Sequence, residues 1–147
     1  MIALRLVRLI ETHSDQLARG LMEKLLRCER VADMRKVPAA ELEQRVYEIY
    51  RNLSDWLLTK TDRDIERRYT AIGARRAAQG VALSNVLYAI VATKEHLWEF
   101  LGREGRVDRP VELFQELELF QLVDQFFDRA LYFTACGYER ARVAQAA

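Results

Sequence analysis

The sequence predicts an all-α fold. Apolar residues recur at spacings of three and four along nearly the whole chain, almost never in strict alternation. That is the period of a helix, not a strand. Two prolines and six glycines in 147 residues are too few for a turn-rich β architecture. Half of the residues are hydrophobic, and no linker, repeat or low-complexity tract interrupts them. One packed domain over residues 1–147 is therefore expected. A chain of this length buries roughly two-thirds of its unfolded surface and needs no metal or disulfide to fold.

Residues 2–30 read as one long helix or two abutting ones. Leu6, Leu9, Ile10, Leu17, Leu21, Leu25 and Leu26 supply its stripe. His13-Ser14-Asp15 can break it, with the Ser14 hydroxyl as a cap for orphan amides. A polar stretch follows. Pro38 suits the first turn of a second helix, where its missing N–H is no loss, and Glu41 and Glu43 fall near the positive end of the helix dipole. Leu42, Val46, Ile49, Leu53, Trp56 and Leu57 carry that helix to residue 58.

Thr61-Asp62-Arg63-Asp64 has the form of a capping box, with Asp where Glu or Gln is usual. A third helix runs from there to Ala78, and Gly80 marks its end. Residues 82–103 form a fourth helix, with Leu83, Val86, Leu87, Ile90, Val91, Leu97, Trp98 and Leu101 on one side. Gly102 and Gly105 bracket its exit. Pro110 opens the last helix, which runs to Arg142. The architecture is thus five or more helices, the last two long.

The last helix carries two apolar stripes. Leu113, Leu117, Phe120, Phe127 and Leu131 form one, and Phe114, Leu122, Phe126 and Phe133 widen it to a second face. A surface helix needs only one. The second means either central burial or a helix from another subunit.

A formal net charge of +1 gives no reason to expect a nucleic acid or an anionic membrane as partner. No apolar run approaches the length of a membrane span. Cys28 and Cys136 are far apart and form no C-x-x-C pair, and the N-terminus lacks the core of a signal peptide. A cytoplasmic protein with free thiols is expected.

Catalysis finds no support, because no nucleophile motif, phosphate loop or metal-binding histidine pair occurs. No catalytic residue, metal or cofactor is assigned. Glu66, Asp124 and Asp128 could form a buried acidic set, but solvated helix faces explain them more simply. His96 could ligate a metal or haem iron, or be a half-buried imidazole at a helix contact. Arg67, Arg68, Arg75 and Arg76 could bind a phosphate or carboxylate, or form a charged face balanced by Asp62, Asp64 and Glu66. The aromatic set of Tyr69, Tyr88, Trp98, Phe100, Phe126, Phe127, Tyr132, Phe133 and Tyr138 could line a cavity or be plain core.

Two segments carry a family resemblance. Tyr69-Thr70-Ala71-Ile72-Gly73-Ala74-Arg75-Arg76-Ala77-Ala78-Gln79-Gly80-Val81 leads into Leu83, Val86-Leu87 and Lys94-Glu95-His96-Leu97-Trp98-Glu99-Phe100-Leu101. Phe126-Phe127-Asp128-Arg129-Ala130-Leu131-Tyr132 and Gly137-Tyr138-Glu139 follow. Together with the Pro38 helix and Trp56-Leu57, the chain resembles the RsbRD-type N-terminal domain, an all-helical sensory module. Domains of this kind commonly precede STAS output domains or histidine kinases.

The first segment is also similar to the haem-binding stretch of globin-coupled sensors. There an Ile-Gly pair is followed, three residues after the Gly, by the iron-ligating histidine, and four residues later by a second Gly. Ile72-Gly73 and Gly80 match, but Arg76 stands at the histidine's place. A guanidinium stays protonated and offers iron no lone pair.

The resemblance therefore implies a globin-like domain without haem, related to the RsbR-type stressosome sensors. Such domains are dimers, and related haem-free sensors bind fatty acids. It implies a homodimer in which residues 82–103 and 110–142 pair with their mates as a four-helix bundle. Ala89, Ala92, His96 and Phe100, with Phe126 and Phe133, would make that contact. It also implies a small apolar or anionic, fatty-acid-like ligand between the third, fourth and last helices. Arg76 would be the counter-ion of a carboxylate, with Tyr69 two turns back on the same helix and Trp98 in the site. The alternatives are a helical interaction module without a ligand, and a haem protein using His96.

Overall fold

The structure, a computed structural model, describes residues 4–104 and 110–146. The described residues are all-α: α1 (Leu4–Thr12), α2 (Ser14–Arg27), a 3₁₀ helix (Glu29–Lys36), α3 (Ala39–Arg51), a π turn (Asp55–Thr59), α4 (Asp62–Ala78), α5 (Leu83–Glu104) and α6 (Pro110–Ala146). Residues 2 and 3, Gly105 and the side chains of Leu113 and Phe114, all used above, lie outside the described residues. No helix among the described residues is long and apolar enough to cross a membrane.

The expected break between α1 and α2 is present, but its cap is not Ser14. His13 occupies the boundary, with its backbone N–H bonded to the Leu9 and Ile10 carbonyls and its Nδ1 2.8 Å from the Leu9 oxygen. Ser14 is one residue inside α2 and buried, so its hydroxyl is not at the helix mouth.

The polar stretch before Pro38 is a 3₁₀ helix. Val31, Met34 and Val37 are all buried. Val31 sits at a kink within the segment (φ −120°, ψ 20°) and Val37 is already extended (φ −86°, ψ 132°), so their spacing of three is not that of one regular 3₁₀ helix. Pro38 sits just before α3 rather than in its first turn, with φ −54° and ψ 131°.

The second helix does not run unbroken to residue 58. It ends at Arg51, and Asn52 leaves helical geometry at φ −111°, ψ 27°. The Glu11 carboxylate of α1 accepts from both the N–H (3.1 Å) and the Oγ (2.9 Å) of Ser54 and holds the chain here. The π turn that follows swings Trp56 into the core.

The capping box at α4 is complete. Thr61 N–H donates to Asp64 Oδ2 at 2.9 Å, and Asp64 N–H to Thr61 Oγ1 at 3.3 Å. The helix closes as a Schellman motif: Val81 N–H bonds the Arg76 carbonyl and Gly80 N–H the Ala77 carbonyl. Gly80 takes φ +74°, which favours glycine.

α6 has 37 residues, a length of about 55 Å. Its N-terminal half lies antiparallel to α5, where Trp98 meets Phe120 edge-on at 4.8 Å and Lys94 pairs with Asp124 at 3.5 Å. Its C-terminal half runs parallel to α4 in the most extensive helix contact of the described chain. There two glycines let the backbones touch. A Cβ on Gly73 would overlap the Thr134 carbonyl and lie 2.9 Å from the Tyr138 nitrogen; one on Gly137 would overlap Thr70.

This crossing settles which α6 face is buried. Leu119, Val123, Phe126, Phe127, Ala130, Thr134 and Tyr138 point inward, whereas Leu117, expected in the main stripe, is half exposed. The second apolar face is therefore explained in part by central burial. Phe126 and Phe127, assigned above to different stripes, are both core residues.

Candidate functional site

An apolar cavity of about 60 Å³ lies between α3, α4 and α5. Val46 and Ile49 of α3, Tyr69 and Ile72 of α4, Val86, Ala89 and Ile90 of α5, and Trp56 form its walls. Such a space holds a few water molecules. Outside it runs a wider groove of about 460 Å³, lined by Arg45, Lys60, Arg67, Arg68, Arg75 and Arg76 with Asp64, Trp56 and Ile72. Arg45, Trp56, Arg68, Ile72 and Arg76 border both spaces.

Two ion-pair groups tie α3 to α4 across this region. Glu48 accepts from Arg45 (3.3 Å) and Arg68 (3.2 Å). Glu41 accepts from four donors. Arg75 addresses both of its oxygens, through Nε to Oε1 and through Nη2 to Oε2 at 3.0 Å. Arg76 Nη1 donates to Oε1 at 2.9 Å and Gln79 Nε2 to Oε2 at 3.2 Å. Arg76 also donates to the Gln79 side-chain oxygen at 2.9 Å. The Arg76 side chain is only 3% exposed, and that of Glu41 16%.

The electrostatics follow from this packing. The Arg75 hydrogen bonds, with those of Arg76, outweigh burial and hold the Glu41 carboxyl at about 2, from an ordinary 4.5. Burial pulls the Arg76 guanidinium down, and Glu41 opposes that shift. Burial pushes the Tyr69 phenol up. For Glu41 the linkage has a definite sign. Its folded value is below its unfolded one, so its contribution to stability is complete above pH 4.5 and is lost as pH falls toward 2. Thermal melts between pH 5 and 2 (approximate limits of that window) are expected to show this loss, and Glu41→Gln to flatten it. An unchanged slope in the variant would show that other carboxylates carry it.

Of the three residues expected to bind a ligand, Tyr69 and Arg76 meet at this cavity. Trp98 does not; it lies against Phe120 of α6. Trp56 supplies the indole instead, packed on Tyr69 (6.1 Å) and Phe126 (5.6 Å). The sequence marks Trp56 as an apolar-stripe residue but not as a cavity wall, because its place there follows a break at Asn52 beside the Glu11–Ser54 hydrogen bonds. Glu41 was legible only as a helix-dipole residue. Its partners are 34 and more positions away.

The arginine cluster is balanced mainly by Glu41 and Glu48 of α3, with Asp64 of α4 beside Arg67 in the groove. Asp62 pairs instead with Arg129, and Asp64 caps its own helix. Glu66, Asp124 and Asp128 are exposed and form no buried set.

The expected dimer residues are placed differently from one another. Ala89, His96, Phe100 and Phe126 are buried against the chain's own helices, so their side chains are spent on its core. Ala92 and Phe133 are part-exposed. His96 covers Gly20 of α2, where a Cβ would lie 3.1 Å from its ring. It lines a groove between α2 and α5, away from the cavity. Its Nδ1 is buried without a hydrogen-bond partner, and burial, then Lys24, lowers its pKa. Among the described residues, no group of three or more His, Cys, Asp or Glu side chains is placed to hold a metal ion.

No curated protein and no solved structure matches the chain. The profile of the RsbT co-antagonist protein rsbRD N-terminal domain matches residues 5–147. That match covers α1 from its second residue and every later helix described above, with the arginines of α4 and both glycines of the α4–α6 crossing. The chain belongs to the RsbRD N-terminal domain family, a family of stress-signalling sensory domains.

Proposed function

We propose that this chain is a non-catalytic, cytoplasmic sensory domain that binds a small apolar or anionic molecule without haem. It would relay that binding to an output domain or partner of the STAS or histidine-kinase type. The observation that carries the reading is the cavity itself: apolar walls, with two ion-pair groups and a cationic groove at the mouth. Apolar walls with a few convergent polar groups are the usual make-up of a small-molecule site. The globin-like description of the helices and the fatty-acid-like ligand rest on the family resemblance.

Decanol is a suitable apolar probe, long enough to lie across the cavity and the adjoining groove, which share Arg45, Trp56, Arg68, Ile72 and Arg76, and Trp56 is a suitable reporter once Trp98→Phe removes the second indole. Decanol should change Trp56 emission saturably. Ala89→Leu, which fills the cavity from α5 without touching the ion pairs, should abolish that change while the protein stays folded. Equal binding by Ala89→Leu would place the probe elsewhere and overturn the reading in favour of a ligand-free interaction module.

A homodimer belongs to the same proposal. With Ala89, His96, Phe100 and Phe126 buried, its contact falls to the outer side of α6, where Tyr132 is 65% exposed. Sedimentation should find a dimer that Tyr132→Arg splits without loss of helicity. A monomer in the unaltered protein at micromolar concentration would reject this part.

A further inference from the structure

We propose that Glu41 is a resident stand-in for the headgroup of a monocarboxylate ligand, whose carboxylate displaces it from Arg75 and Arg76. This rests on the ligand-binding reading above and names the ligand class of that site.

The contacts of Glu41 are those a bound carboxylate would make. Arg75 presents two N–H groups, one to each oxygen, and Arg76 and Gln79 add one donor each. A planar guanidinium fork matched to two oxygens selects a carboxylate geometrically. Arg76 is also the point where the outer groove meets the cavity. A headgroup held there leaves an apolar tail pointed past Ile72 and Tyr69 toward Ala89.

The local charge balance favours exchange over simple release. Six cationic side chains line the groove. They face Asp64, Glu41 and Glu48 alone of the carboxylates described there. Withdrawing Glu41 would leave a buried guanidinium without its counter-charge, which is costly unless another anion arrives.

The test compares decanoate with decanol at neutral pH, in the Trp98→Phe background. Glu41→Gln, which keeps the side chain's shape and removes its charge, should raise decanoate affinity about tenfold and leave decanol unchanged. Equal decanoate affinity with and without Glu41 overturns the stand-in, while decanol binding that Ala89→Leu blocks keeps the cavity reading. Binding of neither probe overturns both. Should Glu41→Gln not fold, the unaltered protein answers instead. Its Glu41 carboxyl ¹³C resonance should move when decanoate saturates the site and stay in place with decanol. A resonance that ignores bound decanoate rejects the proposal.

Discussion

Alanine at Gly73 or at Gly137 is expected to destabilise the protein by about 3 kcal/mol, the upper end for overpacking. At both positions the added methyl would overlap backbone of the facing helix, Thr134 in one case and Thr70 in the other. A backbone cannot turn aside as a side-chain tip can, so α4 and α6 would have to separate. That separation would loosen their packing along the crossing. For a chain of this size the melting temperature should drop by about 10 °C. Gly102 provides the control. It lies in α5 with nothing within 4 Å of an added Cβ. Gly102→Ala should therefore stabilise by about 0.5–1 kcal/mol through helix propensity. Urea unfolding of the three variants distinguishes the cases. Similar values for Gly73→Ala and Gly102→Ala would mean that the crossing is not as close as described.

Phe126→Ala should cost about 3–5 kcal/mol, the range for truncating a buried aromatic ring. Phe126 is 2% exposed and touches Trp56 (5.6 Å), Tyr69 (5.8 Å) and Phe127 (5.1 Å). It fastens α6 to both the π turn and α4. Trp56 and Tyr69 are cavity walls, so its loss also removes the support behind the proposed ligand site. The near-UV circular dichroism of the aromatic group should weaken along with stability. Phe126→Leu keeps most of the apolar volume and should cost less than half as much. A loss below about 1 kcal/mol in Phe126→Ala would show that the ring is not buried as described.

The two glycines show how reading and structure divide. In the sequence Gly73 belongs to an Ile-Gly pair and Gly137 to a Gly-Tyr-Glu run. Neither position indicates that the other faces it. Their shared role is close backbone approach between segments more than sixty residues apart. Local pattern reports helix period, and a helix–helix contact is a property of two helices at once.

Arg76 shows the same division. The residue type says a permanent cation, and the resemblance to globin-coupled sensors sets it where an iron ligand would be. The sequence does not say that the guanidinium is buried, or that a carboxylate from α3 occupies it.

By itself the sequence determined the all-α class, the capping box and glycine stop of α4, the long α5 and α6, and the family. These depend on residue type and on spacings within one helix, where propensity, capping and hydrophobic period act over a few residues. Tertiary structure alone decided the break at Asn52, the buried face of α6, the replacement of Trp98 by Trp56 in the cavity wall, and the burial of four expected dimer residues. Each of these depends on which surface meets which. A helix with apolar residues on two faces can satisfy either of them, and the choice is made by the neighbour that comes closest. Here the absence of side chains at Gly73 and Gly137 lets α4 come closest to α6.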